Sequence, residues 1–243
     1  MSHRNLIDYF DRVAIINLPE SRERLIALSA GLRNLGIPPA HPKVQFPPVP
    51  RPAEADGFPS HKVRSNFLAH LEILRNALQD GPESVWVLED DAMFSHRMQR
   101  GQAGLVSTLE RREWDMCFFG HSLTLSGEPT GLIPIPTNVE FTQTHCYAVH
   151  ARVLPRLVQY LEQTLERPVG HPQGAKVSTD GGFNLFRRFN PDVVTLVSNP
   201  LLSRQKGCPS VIQGGKWYDA NPLTRSPVAV ARLVRDEWWR MRG

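Results

Sequence analysis

Apolar residues recur along this chain in two rhythms, and each rhythm predicts a different element. Val13–Leu18 (VAIINL) is a short β-branched run closed by Pro19, which reads as a buried strand. Leu25, Leu28, Leu32 and Leu35 then repeat at three- and four-residue spacing between Ser21 and the stop signals Gly36 and Pro38, so a helix follows. Asn66–Leu78 reads as an amphipathic helix that puts Phe67, Leu71, Leu74 and Leu78 on one face, ahead of the turn Asp80-Gly81-Pro82. Ser84–Leu88 (SVWVL) is a strand running into three acids. Trp114–Phe119, Cys146–Val149 and Val193–Val197 read as strands, and Val153–Leu165 as a helix. Strands alternating with helices predict an α/β fold whose mainly parallel sheet carries helices on both faces.

Prolines break the pattern between about residues 37 and 60, at Pro38, Pro39, Pro42, Pro47, Pro48, Pro50, Pro52 and Pro59. Each fixes φ and removes a donor, so the stretch is a long irregular loop, either a binding loop or lid or a plain linker. The tail, about 227–242, places Val230, Leu233, Val234, Trp238 and Trp239 among arginines and predicts a basic amphipathic helix. That helix either packs back on the domain or touches a membrane surface. The 243 residues are expected to form one domain.

With 41% hydrophobic residues and 28 Lys plus Arg against 24 Asp plus Glu, the net charge is +4. This mild excess suits anionic phosphates and, without a basic aromatic stripe, gives no case for nucleic acid. Cys117, Cys146 and Cys208 are odd in number and widely spaced, as free thiols in a reducing compartment would be. Polar residues interrupt every apolar stretch of the amino terminus, so neither a signal-peptide core nor a membrane span is predicted and a cytoplasmic location is expected.

The acids closing the fourth of these elements carry the candidate chemistry. Glu89-Asp90-Asp91 stand at the carboxyl end of a strand, where open α/β sheets bind ligands. If the backbone stays extended, Glu89 and Asp91 project to one side and offer two hard oxygen donors to Mn²⁺ or Mg²⁺. The competing reading is that they solvate a turn or cap a helix.

Several segments resemble glycosyltransferase family 25, the lipopolysaccharide-type galactosyltransferases and related collagen-modifying enzymes. AIINLPESRERL (Ala14–Leu25) resembles the family's opening strand and turn, and RSNFLAHLEILRNAL (Arg64–Leu78) its Gly-Cys-x-x-Ser-His helix. VWVLEDDAMF, ending at Phe94, matches its Glu-Asp-Asp segment. QTHCYAVHARVLPRLV (Gln143–Val158) and VSTDGGFNLF (Val177–Phe186) resemble its later strand, helix and acidic segment. In the second segment Ser65, Asn66 and Ala69 replace the usual Gly, Cys and Ser, while His70 is retained.

The resemblance implies a GT-A type, Rossmann-like fold and a metal-dependent inverting transfer of a hexose, galactose being the family's commonest, from a UDP-sugar to a glycan or lipopolysaccharide-type acceptor. Under that scheme Glu89 and Asp91 take the metal, with Asp91 the foremost ligand, and Glu89 and Asp90 meet the donor ribose. Asn17, Arg22 and Arg24 contact uracil and phosphates unless they are merely solvated. Asp180 is the base or a helix cap, and the glycines after it allow close approach of substrate. His70 contacts donor or is a buried histidine. His145 and Tyr147 line the acceptor side, or Tyr147 is core. Gln205, Lys206 and Ser210 resemble a late stretch near the donor phosphates, with a surface lysine as the alternative for Lys206. Two other functions compete: a catalytically silent nucleotide-sugar or glycan-binding module, favoured by the changes around His70, and a metal-dependent phosphohydrolase or nucleotidyltransferase.

Overall fold

A computed structural model describes residues 5–206, 231 and 234–241. The elements are α1 (Leu6–Tyr9), β1 (Arg12–Ile16), α2 (Arg22–Asn34), β2 (Val44–Gln45), α3 (His61–Asp80), β3 (Ser84–Glu89), β4 (Ala92–Phe94), α4 (His96–Arg100), α5 (Gln102–Arg111), β5 (Met116–Phe118), β6 (Gly131–Ile135), β7 (Cys146–His150), α6 (Leu154–Glu166), α7 (Thr179–Phe189), β8 (Thr195–Asn199) and β9 (Ser203–Gln205). Among the described residues one sheet runs in the order β2-β1-β3-β7-β5-β8-β6, and β4 pairs with β9 in a two-stranded sheet. Strands β2, β1, β3, β5 and β8 share one direction, while β7 and β6 oppose it.

Alternation along the central strands divides the core into two layers. Ala14, Ile16, Val85, Val87, Phe118 and Tyr147 face α3, α6 and α7. Val13, Ile15, Trp86, Leu88, Cys117 and Cys146 face the helices α1, α2, α4 and α5. Successive strand residues point to opposite faces, so runs such as VAII and VWVL are apolar throughout because both faces are covered. The expected α/β, mainly parallel sheet with helices on both faces is present. Its direction is broken at β7, which enters antiparallel between β3 and β5 and so brings its amino end to the carboxyl end of β3.

The helices follow their local signals. Ser21 precedes α2, which buries Leu28 and Leu32, and Leu35 is its C-cap. The third helix starts five residues before the predicted Asn66, where the Ser60 hydroxyl accepts the Val63 amide (3.2 Å), and it ends at Gly81 with φ 74°. Its buried face continues through Ala77; Leu78, expected on that face, is 39% exposed at the helix end. The proline-rich stretch is no loose linker. It contributes β2 to the sheet edge, buries Phe58 against Phe67 with ring centroids 5.2 Å apart, and its Pro50 carbonyl accepts the Ser65 hydroxyl (2.6 Å).

Residues 231 and 234–241 are helical, with Asp236 and Trp239 buried and Val234, Trp238 and Met241 exposed. The remainder of the predicted tail helix, Cys208 and Ser210 lie outside the described residues. Cys117 and Cys146 are free and buried. No helix among the described residues is long and apolar enough to cross a membrane.

Between β5 and the following turn, Gly120 leaves room for its neighbours: a Cβ there would stand 2.2 Å from His145 Nε2 and 2.7 Å from the Ser203 carbonyl oxygen. The second contact is backbone and cannot swing away. Gly120→Ala is therefore expected to destabilise the protein by about 3 kcal/mol, read by urea unfolding; an unchanged midpoint would contradict this packing.

Candidate functional site

Strand β3 stops at Glu89 because the chain turns there, with the Asp90 amide bonded to the Ile16 carbonyl (3.0 Å) and Asp90-Asp91 leading into β4. The backbone does not stay extended through the acids, so the alternation that would align Glu89 with Asp91 does not operate. Each carboxylate instead has its own surroundings.

Asp90 is the paired one: Arg24 Nη1 donates to Oδ1 (3.0 Å) and Asn17 Nδ2 to Oδ2 (3.2 Å). Burial still raises its pKa, with the Arg24 bond opposing. Glu89 Oε1 accepts from Thr144 Oγ1 (3.1 Å) and meets His70 Nε2 (3.2 Å), while His70 Nδ1 meets the Tyr147 hydroxyl (2.9 Å). Burial pushes Glu89 up, but the His70 bond and charge, with His145 and Thr144, outweigh it and hold this carboxyl below its ordinary value. Burial pushes Tyr147 well above the ordinary phenol value, so its hydroxyl keeps its proton.

Asp91 lacks comparable support. Its Oδ1 is buried with no hydrogen-bond partner among the described residues, and Arg24 Nη1 is 3.7 Å from Oδ2. Burial first, then the charge of Glu89, raises its pKa to about 7 against the pull of Arg24. A cation beside this oxygen would relieve both effects. Among the described residues no group of three or more His, Cys, Asp or Glu can hold a metal. A Mg²⁺- or Mn²⁺-type ion that takes one or two carboxylates and completes its shell with phosphates and water needs no such group, and Asp91 with nearby Glu89 fits that kind of site.

Glu89 and Asp90 form one end of a cleft of about 300 Å³. Ile16 and Leu18 line it from the end of β1, and Val49 and Pro52 from the proline-rich segment. Arg24, Arg51 and Lys62 add cations, His61 adds an imidazole, and Ser65 and Asn66 come from the first turns of α3. Arg51 pairs with Glu20 at the rim (2.5 Å), both more than half exposed. The cleft thus joins an apolar wall, an acidic end and a basic side.

The other candidates fall in four places. Gln205 pairs with Ala92, and the Lys206 amide donates to the Asp91 carbonyl (2.7 Å), so both stand beside the acidic turn without lining the cleft. Arg22 is exposed at the start of α2 and is also off the cleft. His70, His145 and Tyr147 are fully buried. His70 reaches the cleft only through Glu89, and Tyr147 is core, stacked on Phe118 at 5.6 Å. His145 directly precedes β7 and Tyr147 lies within it between β3 and β5, so the core alternative describes Tyr147 and neither side chain presents a surface in this structure. Asp180 lies in the first turn of α7, where Oδ1 accepts the Gly181 amide (2.9 Å) and Oδ2 the Gln143 amide (3.3 Å). A Cβ on Gly182 would meet Phe67 and Leu161 at 3.2–3.3 Å, so this glycine serves helix packing.

Sequence reasoning passed over Arg51, His61, Lys62 and Thr144. The first lies in the proline-rich segment read as either a binding loop or lid or a plain linker, and His61-Lys62 directly follow the Ser60 cap, which is the signal that would have placed them. Thr144 opens the Thr-x-x-Tyr run of the Gln143–Val158 segment, but its partner Glu89 is 55 residues away, so no local pattern gives it a role.

Neither protein-family models nor curated proteins give a match to this chain. Solved structures do. One is described as mannose-1-phosphate geranyltransferase from Thermus thermophilus, at 14% identity and TM-score 0.42, covering 77% of this chain and 72% of that one. Another is a glycosyltransferase involved in the glycosylation of the major capsid of PBCV-1, at 11% identity and TM-score 0.35, covering 77% of this chain and 92% of that one. Likenesses this slight say nothing of what this chain acts on.

His145 gives the site a pH signature. Neither ring nitrogen has a hydrogen-bond partner among the described residues, and burial lowers its pKa to about 4, against the opposing charge of Glu89. The unfolded histidine, near 6.5, takes up a proton that the folded one refuses, so stability present above about pH 6.5 is lost as pH falls toward 4. The loss is on the order of 3 kcal/mol. Urea unfolding across this window should show a shallower pH dependence in His145→Gln than in the wild type; identical slopes would contradict the assignment.

Proposed function

We propose that the chain is a metal-dependent inverting glycosyltransferase that moves a hexose from a UDP-sugar to a glycan acceptor, with galactose and a lipopolysaccharide-type acceptor the first to test. The observation that carries this reading is the buried, unpartnered Oδ1 of Asp91 beside a cleft whose other side is basic. A buried carboxylate oxygen left without a donor is disfavoured unless a ligand supplies the missing partner.

In this reading Asp91 holds Mn²⁺ or Mg²⁺, with Glu89 near enough to share its field. The ion would neutralise charge on the departing diphosphate. Arg51 and Lys62 face the same phosphates, and Arg24 fixes Asp90 toward the ribose while Asn17 holds its other oxygen. The apolar wall of Leu18, Val49 and Pro52 receives the flat base. For the acceptor proton, Asp180 has both oxygens occupied by amides and stands off the cleft. Glu89 is kept ionised and faces the cleft, so we assign it the base.

Two of the replacements of the family's Gly, Cys and Ser, Ser65 and Asn66, have local uses. The Ser65 hydroxyl donates to Pro50, and Asn66 Oδ1 accepts the Thr179 hydroxyl (2.8 Å), fastening the proline-rich segment and α7 to α3. They build the cleft and do not in themselves favour a silent module.

The test is a screen of UDP-sugars for nucleoside diphosphate release with and without Mn²⁺, with Asp91→Ala beside the wild type. Metal-dependent release that falls on the order of a hundredfold in Asp91→Ala is expected. Equal turnover in both would remove the metal assignment, and UDP binding without any release would favour the silent module.

A further inference from the structure

Helix α7 carries a polar stripe on its inner side. Asp180, Asn184 and Arg187 are spaced four and three residues apart and so share one helix face. All three hold the backbone of the segment between β6 and β7. Arg187 Nη2 donates to the Pro136 carbonyl (2.8 Å) and Nη1 to the Val139 carbonyl (2.9 Å). Asn184 accepts the Phe141 amide (3.3 Å) and donates to the Phe141 carbonyl (2.6 Å). Asp180 accepts the Gln143 amide (3.3 Å). The stripe therefore grips the segment in order, from Pro136 opposite the end of the helix to Gln143 opposite its start.

Two features show that the grip is specific. Arg187 is fully buried, and the described residues give its guanidinium neutral acceptors: the two carbonyls, Asn184 Oδ1 (3.2 Å) and the Thr195 hydroxyl (2.9 Å), with the Phe141 ring 4.9 Å from its carbon. A desolvated charge persists in such a place only when its hydrogen bonds are met together, and Arg187 ties the segment to β8 in meeting them. Gln143 holds a φ of 82°, which a non-glycine residue adopts under strain, and the next residue is Thr144, whose hydroxyl donates to Glu89.

We infer that Asp180, Asn184 and Arg187 are positioning residues: they fix the 136–144 segment so that Thr144 holds the Glu89 carboxylate in its orientation toward the cleft. The inference rests on the reading of Glu89 given above. It moves Asp180 from the reaction to the support of it.

The test is a cycle of Arg187→Lys, Thr144→Val and the double variant in the full chain. Lysine keeps the charge but cannot span Pro136, Val139 and Thr195 with one planar fork; valine keeps the shape of threonine and removes only its hydroxyl. In the donor-release assay each single variant is expected to lower kcat roughly tenfold to a hundredfold with donor KM little changed. The double variant is expected to fall no further than Thr144→Val alone. Multiplying losses, or an Arg187→Lys that is less stable yet turns over normally, would overturn the inference and leave Arg187 a purely structural brace. A second arm, hydrogen exchange at the Gln143 and Thr144 amides, needs no turnover. Exchange there should quicken at least tenfold in Arg187→Lys and in Asn184→Ala while α6 stays protected; unchanged exchange overturns the grip. An inactive wild type with the exchange response intact would count against the transferase alone.

Discussion

Three carboxylates in a row at the end of a buried strand are an electrostatic problem, because each loses water and each repels the next. The surrounding structure answers it three ways. Arg24 and Asn17 take Asp90, the buried His70 and Thr144 take Glu89, and one oxygen of Asp91 is left without a partner among the described residues. The partners arrive from β1, α2, α3 and the lead-in to β7, so compensating these charges draws four separate parts of the chain to one point. The cleft is the space left between them.

The antiparallel entry of β7 makes the second of those answers available. Had the strand run the common way, its carboxyl end would have met Glu89 and Thr144 would lie at the far side of the sheet. As it is, the Glu89 amide bonds the His145 carbonyl at 2.9 Å, one residue beyond Thr144. The grip of α7 on the preceding segment then sets the angle at which that strand begins.

Most of the fold is legible in local pattern, and the site only in part. Runs such as VAII and VWVL, and the leucine spacing of α2, declare their elements because both faces of the sheet and one face of the helix are buried. Helix α7 is hidden by Gly181-Gly182, poor helix formers, and by a polar stripe that turns inward. Strand β6 contains Gly131 and Pro134, which read as breakers and are tolerated because it lies at the sheet edge. Glu89 and Asp90 stand out because acids at a strand end are conspicuous. Arg51, His61 and Lys62 do not, since polar and basic surface residues are ordinary, and the buried fate of His145 and Tyr147 depends on which strands flank β7, which no local pattern states.

The proline-rich wall has one more consequence. Its backbone is fixed in φ at eight prolines between residues 38 and 59. It is also fastened by the Pro50–Ser65 bond, by Arg64 donating to the Glu54 carbonyl (3.0 Å) and by Asp56 pairing with Arg64 and Lys176. Little conformational freedom remains in it to be surrendered when a ligand settles against Val49 and Pro52. Affinity at this face should then reflect complementarity of shape and charge almost directly, as for a rigid mould and not for a folding flap.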